Sequence, residues 1–155
     1  MSQGDDCPES FLLIPVSLGE LLDRISILTL KQERLVDIER RRNVTLELGL
    51  LTQILEESGR SIRASSFEQL HTVNAHLWDL EDRIRQLDCN EIGDRKYARV
   101  ARDIHRFNDV RHDIKRAISV ADGSSILEEK EYAKASPSTP GRARINPQPN
   151  NTLAR

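Results

Sequence analysis

The chain is short of residues that interrupt a helix or cross-link a fold. Proline is absent between Val16 and Ser136, aromatic residues make up 4% of the chain, and cysteine occurs twice, at Cys7 and Cys89. Two cysteines without a CxxC pair indicate neither a disulfide framework nor a zinc site, which favours free thiols in a reducing compartment. The longest apolar run, residues 11–16, is far too short to span a membrane. No signal peptide is visible, so we expect a cytoplasmic protein with no membrane contact.

Charge is plentiful and unevenly distributed. Charged residues make up 31% of the chain and the formal net charge is −2. Residues 134–155 hold four basic residues and no acid, a charge of +4, so the rest of the chain carries −6. An acidic body argues against nucleic-acid binding by the folded part. We predict disorder in residues 1–9, one helical domain in residues 10–134, and a disordered basic tail in residues 135–155.

Apolar spacing predicts an all-α fold of antiparallel hairpins that form a small bundle, after a short extended segment at residues 11–16. Ser17 and Glu20 form a capping-box pattern that begins helix 1, and an end or kink is expected at residues 36–37. A second helix covers residues 38–57, although a continuous helix 1–2 stays open. Gly49 costs that second helix about 1 kcal/mol relative to alanine. The inward positions of the two helices are Leu18, Leu21, Ile25, Leu28, Gln32 and Leu35, then Val44, Leu48, Leu51 and Leu55.

Helices 3 and 4 are predicted to form an antiparallel hairpin around Gly93. Ser65 with Glu68, or Ser66 with Gln69, caps helix 3, which ends near residue 88. Helix 4 runs over residues 94–121 with Gly123 as its C-cap, and Ser125 with Glu128 caps a last short helix that reaches residue 132. The inward stripes are Leu70, Val73, Leu77, Leu80, Ile84 and Leu87, and then Tyr97, Val100 or Ala101, Ile104, Phe107, Arg111, Ile114 and Ile118.

A polar layer is expected where Arg111 interrupts the apolar stripe of helix 4. Folding the hairpin at its turn sets residue 111 level with residue 71 and brings Asn108 level with Asn74. A buried guanidinium without an acid would cost several kcal/mol, so Glu20 or Asp23 of helix 1 should complete the layer. The layer either fixes the register of the helices or forms an anion-binding pocket.

Beside the apolar stripe of helix 3 runs a second stripe: Asn74, Trp78, Glu81 and Arg85. These side chains are either paired on a solvated helix face or line a site, and Trp78 favours a site because a large indole is seldom left in water. The histidines lack the paired Glu-x-x-His pattern of a di-metal bundle. We expect no metal, no cofactor and no catalytic residue that the sequence alone can name.

Four motifs follow one another along the chain: PVSLGELLDRISILTLK (15–31), NxxLWDLEDRIR (74–85), FNDVRxxIK (107–115) and EEKEYA (128–133). As an ordered set they resemble a family of short bacterial proteins that is known only as a domain of unknown function. The resemblance implies an α-helical cytoplasmic protein. It marks as candidate site residues Glu20, Asp23, Lys31, Asn74, Trp78, Glu81, Asp82, Arg85, Asn108, Asp109, Arg111 and Lys115, with Glu129 and Lys130 as further positions of the pattern.

We interpret the chain first as a non-catalytic protein-interaction or scaffold module, and as a homodimer. Thin helices with few aromatic residues make a modest core, and association would bury the second stripe. The protein partner is not indicated, although the basic tail could dock on an acidic partner or nucleic acid.

The alternative is a small-molecule binder for an anionic ligand, or an enzyme, with a polar site inside the bundle. Helix 1 is loosely similar to chorismate mutases in the rhythm of Leu21, Arg24, Ile25, Leu28, Lys31 and Arg34, but the downstream Arg and Glu or Gln positions of that family are not evident. Cations that meet in a cavity without acids would favour a binder, and cations that each touch a carboxylate would favour a scaffold. The cations in question are Arg24, Lys31, Arg111 and Lys115.

Overall fold

The computed structural model describes residue 12, residues 14–89 and residues 94–130. This part of the chain contains four helices and no strand: α1 (Leu18–Arg34), α2 (Ile38–Glu57), α3 (Ala64–Cys89) and α4 (Asp94–Ala121). The helices pack against one another, which confirms the predicted all-α bundle. The tails predicted at residues 1–9 and 135–155 lie outside the described residues.

Local capping groups explain where α1 and α2 begin. The Ser17 side chain accepts a hydrogen bond from the backbone N–H of Glu20 at 3.4 Å, and the Asp37 side chain accepts one from the backbone N–H of Arg40 at 2.8 Å. Each bond satisfies a donor that has no partner within its own helix. Leu35, between the helices, has an extended backbone, so the predicted break after helix 1 is confirmed and the continuous helix is excluded.

Glycine ends α2 and α4. Gly59 and Gly123 have φ values of 63° and 72°, a left-handed conformation that other residues adopt only with strain. After α4 the backbone N–H of Ser124 bonds the carbonyl of Ser119 at 2.9 Å, the pattern of a Schellman cap. The prediction of Gly123 as the C-cap residue is confirmed.

Helix α1 is the central element, because it packs against α2, α3 and α4. Leu22 and Leu30 are 1% and 2% exposed, more buried than several members of the predicted stripe of helix 1. That stripe omitted both residues, since a single stripe describes a helix that is buried on one side only. The innermost cluster joins Leu22 to Leu70 of α3 and Ile118 of α4.

Helices α3 and α4 are antiparallel, as predicted. The rings of His76 and Phe107 lie 5.4 Å apart, and contacts further from the turn join Asn74 to Arg111. Helix α1 runs antiparallel to α4 as well, because Gly19 contacts Ser119. It therefore runs parallel to α3.

Two predicted details are wrong. Helix α3 begins at Ala64, so Ser65 and Ser66 lie within its first turn and are not caps. Residues 125–130 are not helical: the Ser124 hydroxyl accepts a hydrogen bond from the backbone N–H of Ile126 at 3.2 Å, and this local turn replaces the predicted Ser125 cap.

None of the described helices combines the length and the apolar character that crossing a bilayer requires.

Candidate functional site

A buried polar network joins α1 to α3. The Asn74 side-chain amide of α3 donates hydrogen bonds to the Asp23 carboxylate at 2.8 Å and to the Ser26 hydroxyl at 2.7 Å. All three residues are at most 6% exposed. Because each buried polar group finds a partner here, the network fixes the register of α1 against α3.

Lys115 of α4 extends this network with positive charge. Its Nζ lies 2.6 Å from Glu20 Oε1, 2.7 Å from Glu128 Oε2 and 3.9 Å from Asp23 Oδ2. Burial by itself lowers the pKa of Lys115. The hydrogen bonds to Glu128 and Glu20 and the charges of Glu20 and Asp23 outweigh burial, so the pKa of Lys115 is raised above its usual 10.5. Lys115 is therefore a cation of α4 held between two carboxylates of α1 and one from residues 124–130.

Residues 124–130, which we call the strap, return along α4 through ion pairs. Glu128 pairs with Lys115 at 2.7 Å, and this bond lowers the pKa of Glu128 below its usual 4.5 although burial opposes the shift. Glu129 pairs with Arg116 at 3.1 Å. The strap is thus attached to α4 by successive acidic side chains.

Two further contacts complete the attachment of the strap. Lys130 donates to the carbonyl of Asn108 at 3.3 Å and lies 3.6 Å from the Asp109 carboxylate. His112 Nδ1 is buried and makes no hydrogen bond with the described residues; the nearest acid, Glu128 Oε2, is 3.6 Å away.

An open groove of about 320 Å³ lies between α1, α3 and α4, and we call it the α1–α3–α4 groove. This volume is at the lower end of those typical of small-molecule sites. Its lining combines an apolar wall with charged side chains: Ile27, Leu30, Lys31, Asn74, Leu77, Trp78, Glu81, Asp82, Arg85 and Arg111.

The charges of the groove divide into paired and unpaired groups. Arg85 lies 3.2 Å from Glu81 and 3.8 Å from Asp82 on its own helix. Within the described residues, no carboxylate oxygen lies within 4.0 Å of the side-chain nitrogens of Lys31 or Arg111. Three cations and two carboxylates line the groove, which leaves one positive charge unbalanced.

Arg111 is half-buried. In the described chain its side chain makes one long hydrogen bond, 3.4 Å from NH1 to Asn74 Oδ1. A guanidinium carries five N–H donors in a planar fork that matches a carboxylate or a phosphate. Arg111 lines the groove, and most of its donors have no partner in the described chain.

Trp78, the single tryptophan of the chain, is half-buried in the same groove. The guanidinium of Arg34 lies 5.7 Å from the centre of its ring, a cation–π distance, and Arg34 also pairs with Asp79 at 2.6 Å. These contacts fix the indole at the edge of the groove, so its fluorescence reports on the groove.

The structure brings together most of the candidate residues, in two neighbouring places. Asp23, Asn74 and Arg111 form the predicted polar layer. Asn108 does not join it, since its side chain donates to the carbonyl of Ile104 in its own helix at 3.0 Å. Glu20 and Lys115 complete the network. The groove collects the others: Lys31, Trp78, Glu81, Asp82 and Arg85. Asp109 lies apart from both places and pairs with Lys130.

Sequence reasoning missed Ser26 and the contact of Glu128 with Lys115. Ser26 was missed because a small hydroxyl residue inside an apolar stripe gives no signal of its own. Glu128 was predicted as a helix cap, and only the motif that contains it pointed to this segment.

Of the four cations named above as distinguishing a binder from a scaffold, two contact carboxylates and two do not. Arg24 pairs with Glu47 of α2 at 2.5 Å, and Lys115 pairs with three carboxylates. Lys31 and Arg111 face the groove without one. The cations of the chorismate-mutase-like rhythm do not gather in one site, because Arg24 pairs with Glu47 of α2 and Arg34 pairs with Asp79 at the edge of the groove.

No group of three or more His, Cys, Asp and Glu side chains in the described residues is arranged to hold a metal ion. The carboxylates clustered around Lys115 contact its ammonium group, and the arrangement is an ion-pair network.

The described chain is a small all-helical bundle with a polar groove. Residues 12–146 match the model of a family of unknown function (DUF6165). The match covers more than half of the chain, so the protein belongs to this family. A search of curated proteins and a search of solved structures each found no match.

Proposed function

We propose that the protein binds a small molecule that carries a carboxylate or phosphate group, and that it does so in the α1–α3–α4 groove. The observation that carries the proposal is that Lys31 and Arg111 line the groove while no described carboxylate lies within 4.0 Å of either cation. Water satisfies their donors in an open groove, and an anion would replace that water with charge-assisted hydrogen bonds.

The rest of the lining indicates what the ligand carries besides its anionic group. Ile27, Leu30 and Leu77 with the Trp78 ring form an apolar wall, which suits a compact hydrophobic or aromatic body. The Arg85 ion pairs leave little unpaired negative charge at the other end of the groove. A small aromatic or aliphatic acid is the ligand class that matches both parts.

The test uses the fluorescence of Trp78 during titration with three probes at millimolar concentrations: benzoate, inorganic phosphate, and benzamide as the uncharged match of benzoate. We expect benzoate to change the emission and benzamide to have little effect. Binding should weaken at high ionic strength, because salt screens the cations. Equal binding of benzoate and benzamide, or no response to either anion, would contradict the proposal.

Two variants assign the response to the unpaired cations. Lys31→Gln and Arg111→Gln should each weaken benzoate binding about tenfold or more, since a hydrogen bond to a charged group contributes roughly 1.5–3 kcal/mol. The matched controls are Lys96→Gln and Arg99→Gln, both exposed on α4 and outside the groove. Circular dichroism confirms that each variant is folded. If Arg111→Gln bound benzoate as tightly as the native chain does, the groove would not be the binding site.

We further propose that the protein works in the cytoplasm of a bacterium; the cysteine pattern and the motifs of the sequence support this. A protein-interaction module is the second candidate function. It is favoured by a different surface, the outer face of α2.

A further inference from the structure

Helix α2 is the least enclosed element of the bundle. It lies beside α1 and beside no other described helix, and none of its residues is buried. Its inner side chains, Val44, Leu48, Leu51 and Leu55, are half-buried. The opposite face of the helix has no partner among the described residues.

This outer face has an apolar stripe of its own. Leu46, Leu50 and Ile54 follow at steps of four residues. Leu46 and Ile54 are 59% and 52% exposed, and Leu50 is half-buried. At 100° per residue, Leu46 and Leu50 lie roughly opposite the residues that face α1. Apolar residues on two sides of a helix are typical of a helix that packs against partners on both sides.

Gly49 lies in the middle of this face. A Cβ added there would meet nothing within 4 Å, so no contact in the described chain requires glycine, although glycine is unfavourable in a helix interior. A small residue at the centre of a helix face allows a second helix to approach closely.

The charges along the face are arranged in a self-complementary order. Arg42 comes seven residues before Gly49, and Glu57 comes seven residues after Leu50. Arg42 has no acidic partner among the described residues, and the Glu57 carboxylate accepts a hydrogen bond from Gln53 of its own helix. If a second copy of α2 lay antiparallel across this face, each Arg42 would be level with Glu57 of the other copy.

We propose that α2 is a homodimer interface. Two copies pair their α2 helices antiparallel about a two-fold axis between Gly49 and Leu50. Leu46 of each copy then meets residues 53 and 54 of the other, and the two arginine–glutamate pairs close the ends. A second copy is the occupant that fits, because a basic-to-acidic order along a helix is complementary to its own reversal. The inference does not rest on the α1–α3–α4 groove.

Charge reversal provides the sharpest test. In sedimentation velocity over a range of micromolar concentrations, Arg42→Glu and Glu57→Arg should each weaken dimerisation about tenfold or more, since each places like charges opposite one another at both ends. The double variant Arg42→Glu/Glu57→Arg should restore the dimer. Each reversal agrees with the dipole of α2, because it places a negative side chain nearer the positive N-terminal end or a positive side chain at the negative C-terminal end. Both variants should therefore remain folded.

A matched reversal on another surface is the control. Arg99→Glu lies on the exposed part of α4 and should leave dimerisation unchanged. A monomer at all concentrations, or a dimer that both single reversals leave intact, would overturn the proposal. Failure of the double variant to recover would overturn the antiparallel register.

Cross-linking tests the axis independently. In a Cys7→Ser/Cys89→Ser background, Leu50→Cys should form a disulfide-linked dimer on oxidation, because residue 50 adjoins the axis and meets its own copy. Arg40→Cys is the control on the same helix, since an antiparallel pair places the two copies of residue 40 at opposite ends. Cross-linking at residue 40 that equals that at residue 50 would overturn the arrangement.

Discussion

Gly19 determines how closely α1 approaches α4. A Cβ added at this residue would lie 2.2 Å from the carbonyl oxygen of Lys115 and 2.6 Å from the Ser119 hydroxyl. The first of these is backbone, which cannot rotate away as a flexible side chain can. We therefore expect Gly19→Ala to lower the free energy of unfolding by about 2–3 kcal/mol, measured by urea denaturation.

Gly49→Ala is the natural control, because it makes the same substitution in a helix with open space. It should raise the free energy of unfolding by about 0.5–1 kcal/mol, the difference in helix propensity. Both variants are measured at low protein concentration, so that association makes no contribution. A stabilising Gly19→Ala would show that α1 and α4 are not held at this distance.

The polar layer shows how far single residues can be predicted from sequence. Asn74 and an acid of helix 1 were predicted to meet, and Asn74 does bond Asp23. The register that sets residue 111 level with residue 71 also sets residue 107 level with residue 75, and the rings of His76 and Phe107 lie 5.4 Å apart. Arg111 reaches Asn74 from one turn further along α4, whereas Asn108 bonds its own helix. Helical spacing fixes positions within each helix, whereas the polar side chain of α4 that reaches Asn74 depends on side-chain length and on how the helices cross, which apolar periodicity does not encode.

Glu128 attaches the strap to α4. Replacing Glu128 with Gln removes a carboxylate from Lys115, and we expect a loss of about 1 kcal/mol at neutral pH, because Glu128 is partly exposed and water screens the pair. Glu129→Gln, one residue further on, is the matched control. The Glu129–Arg116 pair is well exposed, so its loss should change stability very little.

The pH dependence separates this ion pair from other effects of the substitution. The pKa of Glu128 is lowered in the fold, so its contribution is present above pH 4.5 and is lost as the pH falls below that value. The pKa of Lys115 is raised, so its contribution is present below pH 10.5 and is lost above it. The difference in stability between the native chain and Glu128→Gln should therefore be constant between these limits and shrink outside them. A difference that persists undiminished in acid would contradict the assignment.

Helix limits could be predicted where the signal is local. Ser17, Asp37 and Gly123 act on backbone groups a few residues away, and the helix limits that they set were predicted nearly as they are. The predicted short helix after α4 is not formed by residues 125–130. The strap is instead held by contacts with another element, because Glu128 pairs with Lys115 of α4. A Ser-x-x-Glu pattern that indicates a cap cannot reveal that its glutamate is occupied elsewhere.

At the scale of the molecule, the sequence predicted the bundle but not the groove. The stripe of Trp78, Glu81 and Arg85 identified one wall, since it follows from helical spacing alone. The other walls come from Lys31 of α1 and Arg111 of α4, and their distance from that stripe depends on how three helices cross. The sequence also predicted a dimer that buries this stripe, whereas we propose α2 as the surface between copies.

Burial differs strongly between α1 and α2. Helix α2 has no buried residue and α1 packs against three helices, so α2 should open locally while α1 opens only when the whole bundle unfolds. In amide hydrogen exchange at low protein concentration, α2 amides should exchange about ten times faster or more than those of central α1. If the proposed dimer forms, raising the concentration should slow exchange in α2 and leave exposed α4 amides unchanged. Equal protection of α1 and α2 at the lowest concentration would show that α2 is part of the same cooperative unit.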